Sequence, residues 1–188
     1  ARPVWIAAST HAGEDEILLA AHREVLASLP DALLVLVPRH PERFDDVAAL
    51  VARSGFACAR RSRGESPAAG MPVYLGDTMG EMPLLYALAD VAFVGGSLVP
   101  VGGHNFVEPA ALGLPLLSGP HLFNFQQIAD DLRAAGALDI AADAAAIAVK
   151  LLILLGNPTY RVEVGKHARD YVAINRGACA RTLALLRA

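Results

Sequence analysis

An imidazole, a carboxamide and a carboxylate stand close together in Gly102-Gly103-His104-Asn105-Phe106-Val107-Glu108. An apolar run, Val91-Ala92-Phe93-Val94, breaks into Gly95-Gly96-Ser97 ahead of them, and a second, Pro115-Leu116-Leu117, follows. Polar groups on a glycine-bearing turn at the carboxyl end of a buried strand stand where open α/β sheets take up ligands. Glycine there permits positive φ and lets a ligand approach the main chain. The Glu108 carboxylate can accept two hydrogen bonds from a ribose diol. Asn105 and Glu108 also have capping-box spacing, with Asn105 as the N-cap. Pro109 disfavours helical geometry in the residue before it. With Pro109 at the first helical position, where proline is tolerated, Glu108 is expected in the loop, facing a cleft. His104 fits a core histidine as well as it fits a ligand contact.

Three more loops offer chemistry at the same edge. In Ser9-Thr10-His11-Ala12-Gly13, free amides at the start of the next helix would favour an anion, and Ser9 or Thr10 would equally serve as its N-cap. Capping leaves His11 without a role. In Pro38-Arg39-His40-Pro41, prolines fix the backbone on either side of a guanidinium that can pair with phosphate or stack on a base; an ordinary solvated arginine fits as well. In Gly76-Asp77-Thr78-Met79-Gly80-Glu81, Thr78 and Glu81 have the spacing of a capping box. Gly80 in a first helical turn would cost stability relative to alanine, which makes sense if a ligand packs on the bare backbone. Arg60-Arg61-Ser62-Arg63 is expected to be part of a mobile, solvated loop over 60–70, with an acceptor-phosphate contact as the lesser alternative.

These loops need a frame, and the hydrophobic pattern supplies one. Short apolar runs predict strands over 4–8, 32–37, 56–59, 73–75, 91–94 and 116–117, with an edge strand over 138–140. Amphipathic stretches between them predict helices over 13–28, 41–54, 80–89, 109–112 and 125–135. Glu14, Asp15 and Glu16 would oppose the dipole of the first, and a helical remainder breaks near Gly156-Asn157-Pro158 and Arg176-Gly177. Alternating elements of this length give an α/β fold, a doubly wound, Rossmann-like and mostly parallel sheet. The 188 residues suit a single domain, with a helical tail over about 157–188.

Composition narrows the function. A net charge of −3 gives no electrostatic basis for nucleic-acid binding. The most apolar stretch, 144–155, contains Lys150 and is too short to span a bilayer. No Walker or G-x-G-x-x-G spacing occurs at a strand-to-helix turn, and no metal-ligand spacing is present. Cys58 and Cys179 are expected to be buried, reduced thiols. The start at Ala1, without a methionine or a signal-peptide pattern, suggests a piece of something longer.

Five ordered blocks carry a resemblance over about 4–173: Ala8-Ser9-Thr10-His11, Val37-Pro38-Arg39-His40-Pro41-Glu42-Arg43-Phe44, Gly76-Asp77-Thr78-Met79-Gly80-Glu81, Gly95-Gly96-Ser97-Leu98 and Gly119-Pro120-His121-Leu122-Phe123-Asn124-Phe125. Together with Gly-Gly-His-Asn and Glu-Pro-Ala-Ala, they resemble the C-terminal half of the bacterial 3-deoxy-D-manno-octulosonic acid (Kdo) transferases. The resemblance implies the C-terminal half of a GT-B glycosyltransferase. It places nucleotide contacts at Pro38 and Arg39, at Met79, Gly80 and Glu81, and at Asn105, Phe106, Val107 and Glu108. Ser9, Thr10, His11, Gly96, Ser97 and His104 are further cleft candidates. The family usually has Asn-Pro-Leu-Glu where this chain has Asn-Phe-Val-Glu; Phe106 and Val107 would contribute mainly backbone, so the site is expected to survive.

The resemblance also implies CMP-Kdo as donor, a lipid A precursor as acceptor, no metal or cofactor, and no nucleic-acid partner. The catalytic glutamate, the membrane anchor and much of the acceptor site of the family lie in an N-terminal half that this sequence lacks. The chain is therefore expected to contain no catalytic residue, to be soluble and inactive alone, and to work in an intact protein on the cytoplasmic face of the inner membrane. Two alternatives remain: another GT-B enzyme or an epimerase using UDP or GDP sugars, and a non-enzymatic flavodoxin-like binding domain.

Overall fold

The computed structural model describes residues 2–175. Seven strands form one parallel sheet in the order β3-β4-β2-β1-β5-β6-β7: β1 (Val4–Thr10), β2 (Leu33–Pro38), β3 (Cys58–Arg60), β4 (Val73–Leu75), β5 (Val91–Val94), β6 (Leu116–Ser118) and β7 (Leu138–Ile140). β2 is buried along its whole length, as a strand covered on both faces must be. Successive side chains of a strand point to opposite faces, and this divides the core. Trp5, Ala7, Leu34, Leu36 and Phe93 face one layer, while Ile6, Ala8, Val35, Val37 and Val94 face the other.

Helices α1 (Asp15–Ser28), α2 (Phe44–Arg53) and α6 (Ala144–Gly156) cover the first face through residues such as Leu18, Val51 and Leu151. The second is covered by α3 (Met82–Ala87), α4 (Val107–Ala111), α5 (Gln126–Ala134) and α7 (Pro158–Asn175), through Leu85, Ala110, Leu132 and Ala168. A 3-10 turn, Pro41–Arg43, leads into α2. On the second face α7 lies unusually close to α4: a Cβ built on Gly165 would stand 2.1 Å from the Gly113 carbonyl oxygen, and one on Gly113 would stand 2.5 Å from the Arg169 guanidinium. Only glycine fits at 165.

The expected strands and the helical break at Asn157 are present, with ends displaced by one to a few residues. The second expected break, at Arg176-Gly177, and Cys179 lie outside the described residues. Cys58 is half-buried, and burial pushes its thiol pKa up, which keeps it protonated. Among the described residues no single helix is long and apolar enough to cross a membrane.

Strand order reverses direction between β1 and β5, since the chain runs outward from β1 through β2 on one side and from β5 through β6 on the other. Their carboxyl ends therefore open a crevice between the loops that follow them.

Candidate nucleotide site

The crevice is floored by the end of β1, where the backbone is irregular. The register with β2 shifts between Ala8 and Thr10, and Ser9 between them has φ +58°. A non-glycine residue in that region is uncommon and strained. Thr10, just beyond, is fully buried; its hydroxyl donates to Asp15 at 2.6 Å, and its carbonyl accepts the Arg39 amide at 3.0 Å and the Arg43 guanidinium at 2.6 Å. Arg43 also pairs with Asp15. Burial, the leading influence on Asp15, raises its pKa against the opposing pull of Thr10 and Arg43. Thr10 thus ties β1 to the chain after β2 and does not face the crevice.

The start of α1 departs from expectation. Neither Ser9 nor Thr10 caps it; Glu14 occupies the N-cap position, fully buried. Its carboxylate accepts the His11 and Gly96 amides on one oxygen, at 2.8 and 2.7 Å, and the Ser97 and Leu98 amides on the other, at 2.9 and 2.8 Å. The carboxylate bonds to none of the first-turn amides of α1; it gathers loop amides from both sides of the crevice and puts one of the chain's own negative charges where an external anion was expected. Gly96 and Ser97 are buried with them, and the Ser97 hydroxyl donates to Val94 and accepts the Gly119 amide. These two residues build the crevice wall from behind rather than line it.

His11 and His104 meet across the crevice. Their Nε2 atoms lie 2.8 Å apart, with the rings edge to edge and nearly coplanar, 14° between planes and 5.0 Å between centroids, and His40 packs edge-on against His11 at 5.2 Å. Burial lowers both pKa values, His104 to about 4, and neighbouring positive groups lower them further. Neither ring is the satisfied core histidine that the sequence allowed for His104.

Beside this pair lies a cleft of about 220 Å³ lined by Ser9, Arg39, Met82, Tyr86, His104, Asn105 and Glu108. A smaller hollow lined by Pro38, Thr78, Met79 and Gly80 shares Ser9, Arg39 and Met82 with it. The fold thus brings the Pro38 and Met79 segments and the Asn105 segment to one concave surface. Among the described residues the Arg39 side chain, exposed at its edge, has no hydrogen-bond or ion-pair partner. The Tyr86 hydroxyl pKa is raised, first by burial and then by the Glu108 charge. Met82 and Tyr86 were not among the expected site residues.

Glu108 stands in a different local structure from the one expected. Helix α4 starts at Val107, so Glu108 lies in its first turn and Pro109 after it. Asn105 compensates from outside the helix: its Oδ1 accepts the Val107 amide at 2.9 Å, while its Nδ2 donates to Glu108 at 3.1 Å. The side chain of Glu108 is exposed and reaches the cleft nonetheless. Phe106 is fully buried against Phe125, so its side chain serves the core.

The third loop also differs. Helix α3 starts at Met82, leaving Gly80 outside it with φ +79° and nothing within 4 Å of the point where a Cβ would stand. Gly80 is there for its left-handed turn, with no close packing. Thr78 and Glu81 do not start the helix: the Thr78 hydroxyl donates to Glu81 at 2.5 Å, and Arg61 donates to both Glu81 oxygens at 3.0 and 2.7 Å. These bonds hold the Glu81 pKa at about 2 and turn its carboxylate away from the cleft lining.

Arg60 and Arg61 are correspondingly not a solvated run. Arg60 donates to buried Asp77 at 2.6 Å and pairs with Asp45 at 2.8 Å. Asp77 also accepts the Ser62 amide and hydroxyl. Burial opposes its charge, but the bonds from Ser62 and Arg60 prevail and its pKa falls. Among the described residues no group of three or more His, Cys, Asp or Glu side chains is disposed to hold a metal ion.

The seven-stranded parallel sheet with helices on both faces and a cleft at its switch point matches the C-terminal domains of GT-B glycosyltransferases. The catalytic domain of a cholesterol-α-glucosyltransferase from Helicobacter pylori shares the fold, with a TM-score of 0.64 at 14% identity over 92% of this chain and 99% of that one. The C-terminal CMP-Kdo binding domain of WaaA from Acinetobacter baumannii superposes with a TM-score of 0.86 at 42% identity, covering 90% of this chain and 88% of that one. The 3-deoxy-D-manno-octulosonic acid transferase of Haemophilus influenzae is 48% identical over 187 residues, 99% of this chain and 44% of the relative. The chain belongs to the Kdo transferase family and corresponds to its C-terminal domain. It spans less than half the length of that relative. No family model matches the chain.

Proposed function

We propose that this chain is the donor-binding domain of an inverting Kdo transferase, holding CMP-Kdo for transfer of Kdo to a lipid A precursor in lipopolysaccharide synthesis. The observation that carries this reading is the convergence of Arg39, the Met79–Gly80 backbone and Glu108 on one cleft. Arg39 is a cation without a partner among the described residues, suited to a phosphoryl group. Glu108, oriented by Asn105, accepts the ribose hydroxyls. The exposed main chain at Met79 and Gly80 approaches the ligand directly, and Phe106 and Val107 act through their backbone.

In the whole enzyme an acceptor hydroxyl, deprotonated by a glutamate of the other half, attacks the anomeric carbon of Kdo. The bond to the phosphoryl oxygen breaks, and CMP leaves. Arg39 stabilises the charge that gathers on the departing phosphate, as a fixed cation does without reorganisation. The reaction proposed needs no metal and no cofactor from this domain. The intact protein works at the cytoplasmic face of the inner membrane, where its lipid acceptor resides.

Calorimetric titration of the chain with CMP, UMP and GMP tests the donor assignment. CMP is expected to bind weakly, because this chain spans less than half the length of its Haemophilus influenzae relative, and to bind better than GMP. Equal or tighter binding of GMP would overturn it. Incubation with CMP-Kdo and the acceptor is expected to yield no product; turnover by this chain alone would place the base among its own residues.

A further inference from the structure

The His11–His104 pair has no part in nucleotide recognition as described above. It nevertheless sits at the switch point, one ring lining the cleft that Arg39 also lines. Two nearly coplanar imidazoles joined Nε2 to Nε2 share a single hydrogen between those atoms. In the neutral pair the donor ring therefore has a bare lone pair at Nδ1, and only the acceptor ring carries an Nδ1–H. One added proton changes this: both rings then carry an Nδ1–H, and the pair bears one positive charge.

The geometry points to the His11–His104 pair as an oxyanion-binding element that takes up one proton from solvent as the anionic part of the donor enters the cleft beside Arg39. The anion is a phosphoryl or carboxylate group, both of which a nucleotide-activated sugar acid carries. The inference rests on the donor-binding reading for the identity of the ligand, and on the imidazole geometry for the site itself.

The surrounding charges explain why the pair waits for a ligand. Arg39 and His40 after β2, and Arg43 in the 3-10 turn, disfavour a proton on it; Glu14 alone favours one. The Glu14 carboxylate is already engaged with four main-chain amides. Without a ligand the pair is neutral at pH 7, as its lowered pKa values require. An oxyanion beside Arg39 reverses that balance, because an opposite charge within a few ångströms favours the protonated form. Proton uptake and anion binding are then linked, each strengthening the other.

The test follows the histidine ring protons by NMR in the full chain while inorganic phosphate, CMP, free Kdo and cytidine are added at pH 6.5, and measures CMP affinity between pH 6 and 8. The expected result is that the His11 and His104 resonances move toward their protonated positions with phosphate, CMP or Kdo and stay in place with cytidine. Phosphate without Kdo, or Kdo without phosphate, identifies which oxyanion is held. CMP affinity is expected to rise at least about fivefold from pH 8 to pH 6 relative to His104→Gln and His11→Gln. Protonation of the ligand's own phosphate near pH 6 is common to all three proteins and cancels in that comparison. CMP binding with unmoved imidazole resonances and identical pH profiles would overturn this inference and leave the nucleotide reading intact. Failure of CMP to bind, with phosphate or Kdo still moving both resonances, would overturn the nucleotide reading and leave this one standing.

Discussion

Glu14 accepts the Ser97 amide at 2.9 Å, and this bond joins the start of α1 to the loop after β5 across the point where the sheet changes direction. The same carboxylate fixes His11 on one loop and the segment leading to His104 on the other. The two walls of the cleft are thus spaced by one buried side chain.

Replacing it should be costly. Glu14→Ala leaves four amides without an acceptor, two of them buried and two part-buried, and is expected to destabilise the chain by at least about 3 kcal/mol. Urea unfolding measures this. At concentrations of denaturant where the variant is still folded, its CMP affinity should also fall, because the wall positions are no longer fixed.

Glu108→Ala should behave in the opposite way. The Asn105 carbonyl still accepts the Val107 amide, so α4 keeps its start and the melting temperature should hardly change. Loss of a charge-assisted contact with ribose, about 1.5–3 kcal/mol, predicts at least tenfold weaker CMP binding. A lowered melting temperature with unchanged affinity would assign Glu108 to the helix alone.

His22 sets a pH limit on the fold. It lies on the buried face of α1, accepts the Trp5 indole N–H at 3.1 Å and lies 2.8 Å from the Pro72 carbonyl. Burial lowers its pKa from 6.5 to about 4. The unfolded chain therefore takes up this proton first as pH falls. The stabilisation is complete above pH 6.5, declines between 6.5 and about 4, and amounts to about 3 kcal/mol over that interval. Thermal melts across this range should show the loss. His22→Leu should flatten the profile while lowering stability at pH 7 by about 1–3 kcal/mol, since Trp5 and Pro72 lose their partner.

Arg61→Ala should release Glu81. Its pKa, held at about 2 by Arg61 and Thr78, should rise toward the ordinary glutamate value in a carboxyl-carbon NMR titration. The pair is partly exposed and screened by water, so the melting temperature should change little. Any change in CMP affinity reports on the neighbouring Met79–Gly80 backbone.

Much of this frame is legible in the sequence because burial on both faces leaves a continuous apolar run, as in Leu33 to Val37, and glycine or proline punctuates the ends. The loops carrying Arg39, Gly80 and Glu108 are located by the same signal, since each follows such a run. What escapes is pairing at long range. Glu14 looks like any first-turn acid, and three of its four partners lie more than eighty positions away. Arg60 and Arg61 look solvated until Asp77 and Glu81 are folded against them. Pro109 misleads on local grounds: its neighbour Glu108 accepts helical geometry because Asn105 and the buried Phe106 anchor the turn. Tyr86 and Met82 carry ordinary helix-core signatures and become cleft residues because they stand one turn apart on α3, on the side that meets the cleft.

The close seat of α7 on α4 bears on which sequences can share this fold. Gly165 lies where any side chain would collide with the Gly113 carbonyl, and Gly113 closes the helix that begins beside Glu108. A substitution at 165, far from the cleft along the chain, would have to push α4 outward and carry the Glu108 carboxylate with it. A change at this distant position would thereby be felt at the cleft, while Gly113 is held to glycine separately, by its φ of +75° and by the Arg169 guanidinium.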